Sequence, residues 1–363
     1  MANVLLVEPF YGGSHRAFAD GLVRNSDHSF QVLCLPDRFW KWRMRGGALT
    51  LADRARALDF RPDVVLASDM LSLAEFKSLS GLDVPAVVYM HENQLCYPVL
   101  KASRRDVHVG FTNITTCLAA DKVLWNSCYH MESFFDALPG FLSMMPDHHP
   151  SRVSERIREK SEVLYPGVDL ASIDQARVEK DTDPPLIVWN HRWEFDKRPE
   201  DFFAAIYELE RDGLDFGLVI LGENFQVKPR PFLEAQERLG HRIVCLEYVP
   251  DRGEYLSWLC RSSVSVSTAS QENFGIAAVE AAYAGARPLW PDRLSYPELL
   301  GSGFREHLYH DFSDLVLKLK KALRQGPAGR GLPERQAQLL FRFDWSQLIS
   351  LYDGLLEQTA SGG

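Results

Sequence analysis

Glu179-Lys180-Asp181-Thr182-Asp183-Pro184-Pro185 runs directly into Leu186-Ile187-Val188-Trp189-Asn190. A charged, weakly periodic stretch closed by two prolines reads as a linker. The unbroken apolar run behind it reads as a strand covered on both faces. Followed backwards, the same linker opens at Tyr165-Pro166-Gly167-Val168. On both sides of it, short apolar runs alternate with helical stretches, the pattern of βαβ units and a parallel sheet. Before it these runs are Val4–Val7, Gln31–Leu35, Val64–Ala67, Ala86–Met90, Lys122–Trp125 and a short Glu162–Leu164. After it they are Leu186–Asn190, Phe216–Leu221, Ile243–Leu246, Val264–Ser267 and Arg287–Leu289. Each set suffices for one doubly wound domain, and 363 residues accommodate two. The expected architecture is α/β, two Rossmann-like doubly wound domains facing each other across a cleft. Its expected parts are domain 1–168, linker 169–185 and domain 186–344. A helix over 345–358 carries Leu348, Ile349, Leu351, Tyr352, Leu355 and Leu356 on an apolar face that needs a partner, with the N-terminal domain as a candidate.

Composition narrows the class. The chain is 46% apolar and 25% charged, ordinary for a globular protein, and no window is apolar enough for a membrane span. A cytoplasmic address without stable membrane association is expected. The six cysteines form no C-x-x-C pair and are expected as reduced, buried thiols. A net charge of −9 opposes nucleic acid at long range, which leaves local basic segments. Arg38-Phe39-Trp40-Lys41-Trp42-Arg43-Met44-Arg45 alternates cations with aromatics, and Lys101-Ala102-Ser103-Arg104-Arg105 is a second such segment. Such a mixture suits RNA phosphates and unstacked bases. Spacing alone favours a plainer reading, a solvated loop with both tryptophans tucked into the core.

Four segments could carry chemistry. Glu8-Pro9-Phe10-Tyr11-Gly12-Gly13-Ser14-His15 follows the first strand, and its Gly-Gly pair either lets backbone amides approach a phosphate or sugar or simply makes a tight turn. Tyr89-Met90-His91-Glu92-Asn93-Gln94 gathers polar side chains beyond the carboxyl end of a buried strand, where open α/β sheets bind ligands. Arg192 and Lys197 follow the first strand of the second domain and could converge on a diphosphate, or pair with Glu194 and Asp196. In Ser270-Gln271-Glu272-Asn273-Phe274-Gly275-Ile276-Ala277-Ala278-Val279-Glu280-Ala281, two carboxylates flank the start of a helix and could bind sugar hydroxyls and a ribose. The plainer reading is one cap and one solvated glutamate. Glu280 nevertheless lies within an apolar helix, where an unpartnered carboxylate costs several kcal/mol, so a ligand is expected for it. Asp181-Thr182-Asp183 spells a metal-binding D-x-D, but it sits in the linker with no strand leading into it and is read as chance. No metal is expected.

Arg192-x4-Lys197 followed by Glu272-x7-Glu280 resembles the donor site of glycosyltransferase family 4, whose members have the GT-B fold. Glu8–His15, His91-Glu-Asn-Gln-Leu95, Tyr97-Pro98-Val99, Asn113-Ile-Thr115, Met145-Pro-Asp-His148, His191-Arg-Trp193 and Tyr296-Pro-Glu298 resemble the tRNA-queuosine mannosyltransferase family across nearly the whole chain. The resemblance implies a retaining, metal-independent transfer of mannose from GDP-mannose, with no further cofactor. Its implied acceptor is the cyclopentene-diol of queuosine at the wobble position of tRNA-Asp. By the same resemblance Arg192 and Lys197 hold the diphosphate, Glu280 the ribose, and Glu272 with Asn273, Phe274 and Gly275 the sugar. His91 is implied near the reacting centre, and Gly12 and Gly13 near phosphates or acceptor. Ser14, His15, Glu92, Asn93, Gln94, Lys41, Arg43, Arg45, Arg104 and Arg105 are expected on the acceptor and tRNA side. The family's usual Glu-Gly-Phe-Gly is Glu272-Asn273-Phe274-Gly275 here, which bears on the donor sugar. Two other readings are a related enzyme acting on a lipid-linked or saccharide acceptor, and a sugar-nucleotide-binding protein without turnover.

Overall fold

The computed structural model describes residues 1–98, 106–178, 180, 183–223, 228–325 and 332–362. The chain forms two bodies: Met1–Gly167 together with the segment from Trp345, and Val168–Asp344.

The first body is built on a parallel sheet of β1 (Asn3–Tyr11), β2 (Ser29–Pro36), β3 (Val64–Ser68), β4 (Ala86–Met90), β5 (Lys122–Trp125) and β6 (Ser161–Val163), in the order β2-β1-β3-β4-β5-β6. Every residue of β3 and β4 is buried, which is why these strands are continuous apolar runs in the sequence. The expected turn at Glu8–Tyr11 is corrected: the strand continues to Tyr11, which pairs with Pro36 after a register shift. Pro9 gives the segment its turn-like signature, and the irregular register accommodates it.

The second sheet holds β7 (Leu186–Asn190), β8 (Gly217–Leu221), β9 (Ile243–Glu247), β10 (Val264–Val266), β11 (Arg287–Pro291) and β12 (Leu308–Tyr309), all parallel, in the order β12-β11-β10-β7-β8-β9. β12 has only two residues, too few for any periodicity to reveal. Strand order reverses between β1 and β3 in one sheet and between β7 and β10 in the other. Crevices at the carboxyl ends of strands at such switch points are where open α/β sheets take ligands.

The helix Trp345–Ala360 completes the first body. Trp345, Leu348, Tyr352 and Leu356 are buried with Phe18, Leu22 and Tyr89. Trp345 lies so close to Gly21 and Gly167 that a Cβ on either would fall 2.2 or 2.1 Å from its ring. The Tyr352 hydroxyl donates to the Tyr165 carbonyl at 2.8 Å. Cys117, Cys245 and Cys260 are buried, Cys34 and Cys96 are partly so, and Cys128, the first residue of the helix Cys128–Ser143, is exposed rather than buried. Among the described residues no helix is long and apolar enough to cross a membrane.

Candidate active site

In the first body, charged groups collect at the carboxyl ends of β1, β3 and β4. Glu8 is buried; its Oε1 accepts from Phe10 N at 2.8 Å and from the Ser68 hydroxyl at 2.9 Å, and its Oε2 lies 3.0 Å from His15 Nδ1. Burial alone would lower the His15 pKa, but Glu8 more than offsets it, so the imidazole is pushed up to about 9 and is charged at neutrality. His91 lies beside it, with ring centroids 4.1 Å apart and planes tilted by 38°. Burial, then the charge on His15, pushes His91 well below its ordinary pKa, so this second imidazole is neutral. Asp69 accepts from His91 N at 2.8 Å, while its buried Oδ2 has no hydrogen-bond partner among the described residues. Burial holds that carboxyl above the usual range.

The His91–Gln94 turn is braced from several sides. Asn126 Nδ2 donates to the His91 carbonyl at 2.8 Å, and Asn113 accepts from Gln94 N at 2.9 Å while donating to the Asp69 carbonyl at 3.0 Å. Gln94 donates to Glu92 at 2.8 Å. Asn93 is fully buried, and its oxygen caps the turn by accepting from Leu95 N and Cys96 N. Gly12 is buried against Asp37, whose carboxyl leaves no room for a Cβ, whereas Gly13 and Ser14 are exposed at the start of the helix Gly13–Asn25. The ligand atoms of Glu8, His15 and His91 lie within 4.8 Å of one another, near enough to share a divalent ion. Such an ion would have to displace the His15 proton, because the Glu8–His15 pair already uses the same atoms.

In the second body, the β7–β10 switch point carries the other cluster. Lys197 is buried with Nζ 2.7 Å from the Gln271 carbonyl, 3.3 Å from Glu272 Oε2 and 3.2 Å from Asp196 Oδ2. Asp196 meets the ammonium as a buried ion pair. Burial would lower the ammonium's pKa; Glu272 and then Asp196 outweigh it and raise it. Arg192 is half-exposed, 3.4 Å from Glu194. The loop before the helix Ile276–Tyr283 is pinned by Ser295, whose hydroxyl donates to the Phe274 carbonyl at 2.7 Å, and by Thr268, which donates to the Lys197 carbonyl at 2.8 Å. Gly275 turns into the helix at φ +103°, a conformation other residues rarely adopt. Asn273 and Phe274 are buried and Glu272 half-buried. Glu280 is buried, but protein groups already meet it: Arg252 at 2.5 Å and the Tyr255 hydroxyl at 3.0 Å. The expectation that its burial requires a ligand is therefore corrected.

Glu8, Asp69, Arg252 and Tyr255 complete the two clusters without having been singled out as site residues. Asp69 had a local signal, a carboxylate directly after the apolar strand Val64–Ser68. Arg252 and Tyr255 had none. Lys41 and Arg45 are exposed, 3.9 Å from Asp106 and 3.8 Å from Glu75, and Arg43 Nε donates to the Pro36 carbonyl at 3.0 Å. Arg104, Arg105, Val99, Asp181 and Thr182 lie outside the described residues.

Two parallel sheets of this kind are the fold of the GT-B glycosyltransferases, and the chain's match to glycosyl transferases group 1 places it in that class. Sucrose-phosphate synthase from Thermosynechococcus elongatus has the same fold, with a TM-score of 0.74 at 14% identity over 100% of both chains. So does HepE of Anabaena, solved with UDP and glucose, with a TM-score of 0.67 at 14% identity over 99% of this chain and 100% of that one. The family is more specific: this chain belongs to the tRNA-queuosine alpha-mannosyltransferases. Residues 3–168 match the model of the tRNA-queuosine alpha-mannosyltransferase N-terminal region, and residues 172–338 match glycosyl transferases group 1. The tRNA-queuosine alpha-mannosyltransferase of Drosophila melanogaster is 38% identical over 87% of this chain and 86% of its own.

Proposed function

We propose that this chain transfers mannose from GDP-mannose to the cyclopentene-diol of queuosine at the wobble position of tRNA-Asp, in the cytoplasm, with retention and without a metal ion. The observation that carries this reading is its 38% identity to the Drosophila enzyme along most of both chains. In the reaction the bond from the anomeric carbon to the diphosphate breaks, and an acceptor hydroxyl oxygen bonds to that carbon on the same face. The hydroxyl proton passes to a departing diphosphate oxygen.

Charge then accumulates on the diphosphate, which Lys197 and Arg192 stabilise. A buried ammonium does this more strongly than an exposed one, since it acts at low dielectric without reorganising. Glu272 exchanges part of its pairing with Lys197 for sugar hydroxyls, beside the backbone of Asn273, Phe274 and Gly275. Glu280 takes the ribose through the lone pairs left over from Arg252 and Tyr255. Neutral His91 offers its ring to the reacting centre without adding charge. Charged His15, with Ser14, Glu92 and Gln94, faces the acceptor diol, and Asn93 holds the turn that presents them. Gly12 and Gly13 let backbone approach the phosphates or acceptor, and Lys41, Arg43, Arg45, Arg104 and Arg105 meet tRNA phosphates.

The test is transfer of labelled mannose from GDP-mannose to bulk tRNA prepared with and without queuosine. Label is expected only on the queuosine-containing pool, and is expected to disappear in Lys197→Ala and Glu272→Ala. Label on neither pool would remove this donor and acceptor while leaving the enzyme class standing.

A further inference from the structure

The aromatic–basic segment is not folded as its spacing favours. Of the two tryptophans at the start of the helix Trp40–Arg56, Trp42 is 59% exposed and Trp40 only 37%, and the neighbouring Phe39 is 77% exposed. Two further observations set this surface apart from ordinary exposed apolar residues. Phe39 sits at φ +55°, ψ 54°, a left-handed conformation that is a genuine outlier for a bulky side chain, and no burial compensates for it. Trp42 lies flat along its own helix, so that a Cβ on Gly46 would fall 2.7 Å from its ring. One ring face is thus fixed against the helix, and the exposure belongs to the other. The helix buries Met44 on its inner side, against Met70 and Val109.

Lys41 and Arg45 flank these rings with side chains 60% and 69% exposed. Their ion pairs, at 3.9 and 3.8 Å, are of the exposed kind that holds a cation only weakly. Between them opens a cavity of about 290 Å³ lined by Lys41, Arg45, His108, Val109, Thr112 and Asp106.

We propose that this turn is a stacking platform for a single-stranded RNA loop: Trp42 and Phe39 receive the faces of unpaired bases, and Lys41 and Arg45 neutralise the phosphates beside them. Duplex RNA keeps its base faces stacked internally and offers such rings nothing, whereas loop bases can splay onto them. A membrane surface fits less well, because the helix Trp40–Arg56 already buries its apolar side, Met44, Ala48, Leu51 and Ala52, within the body and keeps no continuous apolar face to insert. The inference rests on the proposed RNA acceptor and adds the part of the RNA that is held and the side chains that hold it.

The experiment measures equilibrium binding of the full chain to three probes: a hairpin RNA with an open loop made without modified nucleosides, a blunt duplex of the same stem, and phosphatidylcholine vesicles containing phosphatidylserine. Trp42→Ala is expected to weaken hairpin binding roughly 5- to 150-fold, following the usual loss per stacked base, and Trp42→Phe to recover much of it. Lys41→Ala is expected to lower the salt slope by about 0.7. Phe39→Gly is expected to weaken hairpin binding while leaving the thermal midpoint unchanged or higher, because glycine accepts the left-handed conformation. Equal hairpin affinity in Trp42→Ala and the unaltered chain, an equal loss for the duplex, or an effect confined to vesicles would each overturn the platform. Since the hairpin lacks queuosine, an intact platform with no mannose transfer to queuosine tRNA would count against the proposed reaction alone.

Discussion

Adjacent histidines of opposite charge state set the pH range of this protein. His15 has a folded pKa of about 9, above the ordinary 6.5. The Glu8–His15 pair therefore contributes fully below pH 6.5 and fades as pH rises through about 9, in total on the order of 3 kcal/mol. His91, His130 and His191 are held neutral by burial, the last two down to about 3. Their contribution is present above pH 6.5 and is lost on acidification, at up to about 1.4 kcal/mol per pH unit each. Thermal midpoints are expected to fall on both sides of neutrality, and His15→Asn to flatten the alkaline limb, with a smaller easing of the acid limb because His91 loses the charge beside it. An unchanged alkaline limb would remove the ion pair from this account. Glu280→Gln is expected to cost the second body about 1–2 kcal/mol, discounted because the Arg252 side chain is 47% exposed, and to weaken GDP binding in titration calorimetry. Arg192, Lys197 and Glu272 were legible because charges between an apolar strand and the next helix are conspicuous, whereas Asp69 carried the same signal after β3 and was passed over. The partners of Glu280 were not legible, because they come from the helix Arg252–Arg261, with no local pattern linking the two segments.

At the scale of elements, the strands were readable wherever burial on both faces made them continuous apolar runs, as in β3, β4, β7 and β8. Legibility failed where geometry lay outside periodicity, in the extension of β1 through Pro9 and in two-residue β12. It failed again at Trp42, whose place depends on the glycine one helical turn further on rather than on its own apolarity. The loop before Ile276–Tyr283 was legible as a site but not in how it is held, since Ser295 and Thr268 lie outside the motif. Gly275→Ala forces a side chain into φ +103°, at a cost of about 1–2 kcal/mol. Its nearest new neighbour is the Glu272 side chain at 3.4 Å, so the body has room to stay folded. Enzyme kinetics are expected to show kcat/KM for mannose transfer falling at least tenfold, while the melting temperature drops only a few degrees. A variant with native kinetics would release the loop from the role proposed for it.

For the molecule as a whole, the helix Trp345–Ala360 decides what can fold. Four buried side chains, Trp345, Leu348, Tyr352 and Leu356, each contribute about 1.5–3 kcal/mol, which together rivals the full stability of a typical domain. A chain ending at Asp344 is expected to lose cooperative unfolding of the first body while the second still melts as a unit, as hydrogen exchange resolved by segment would reveal. Protection of β1 and β4 persisting in that chain would show the helix to be dispensable. The same arrangement has a consequence during synthesis. Residues of the first body leave the ribosome first, but the face of their sheet that carries Phe18 and Tyr89 is not covered until Leu356 has emerged, so the body encoded in the middle is finished before the one encoded at the start. Through that interval the apolar ground around Phe18 and Tyr89 stands uncovered, and a nascent chain in this state is a natural client for the chaperones that shield exposed hydrophobic surface.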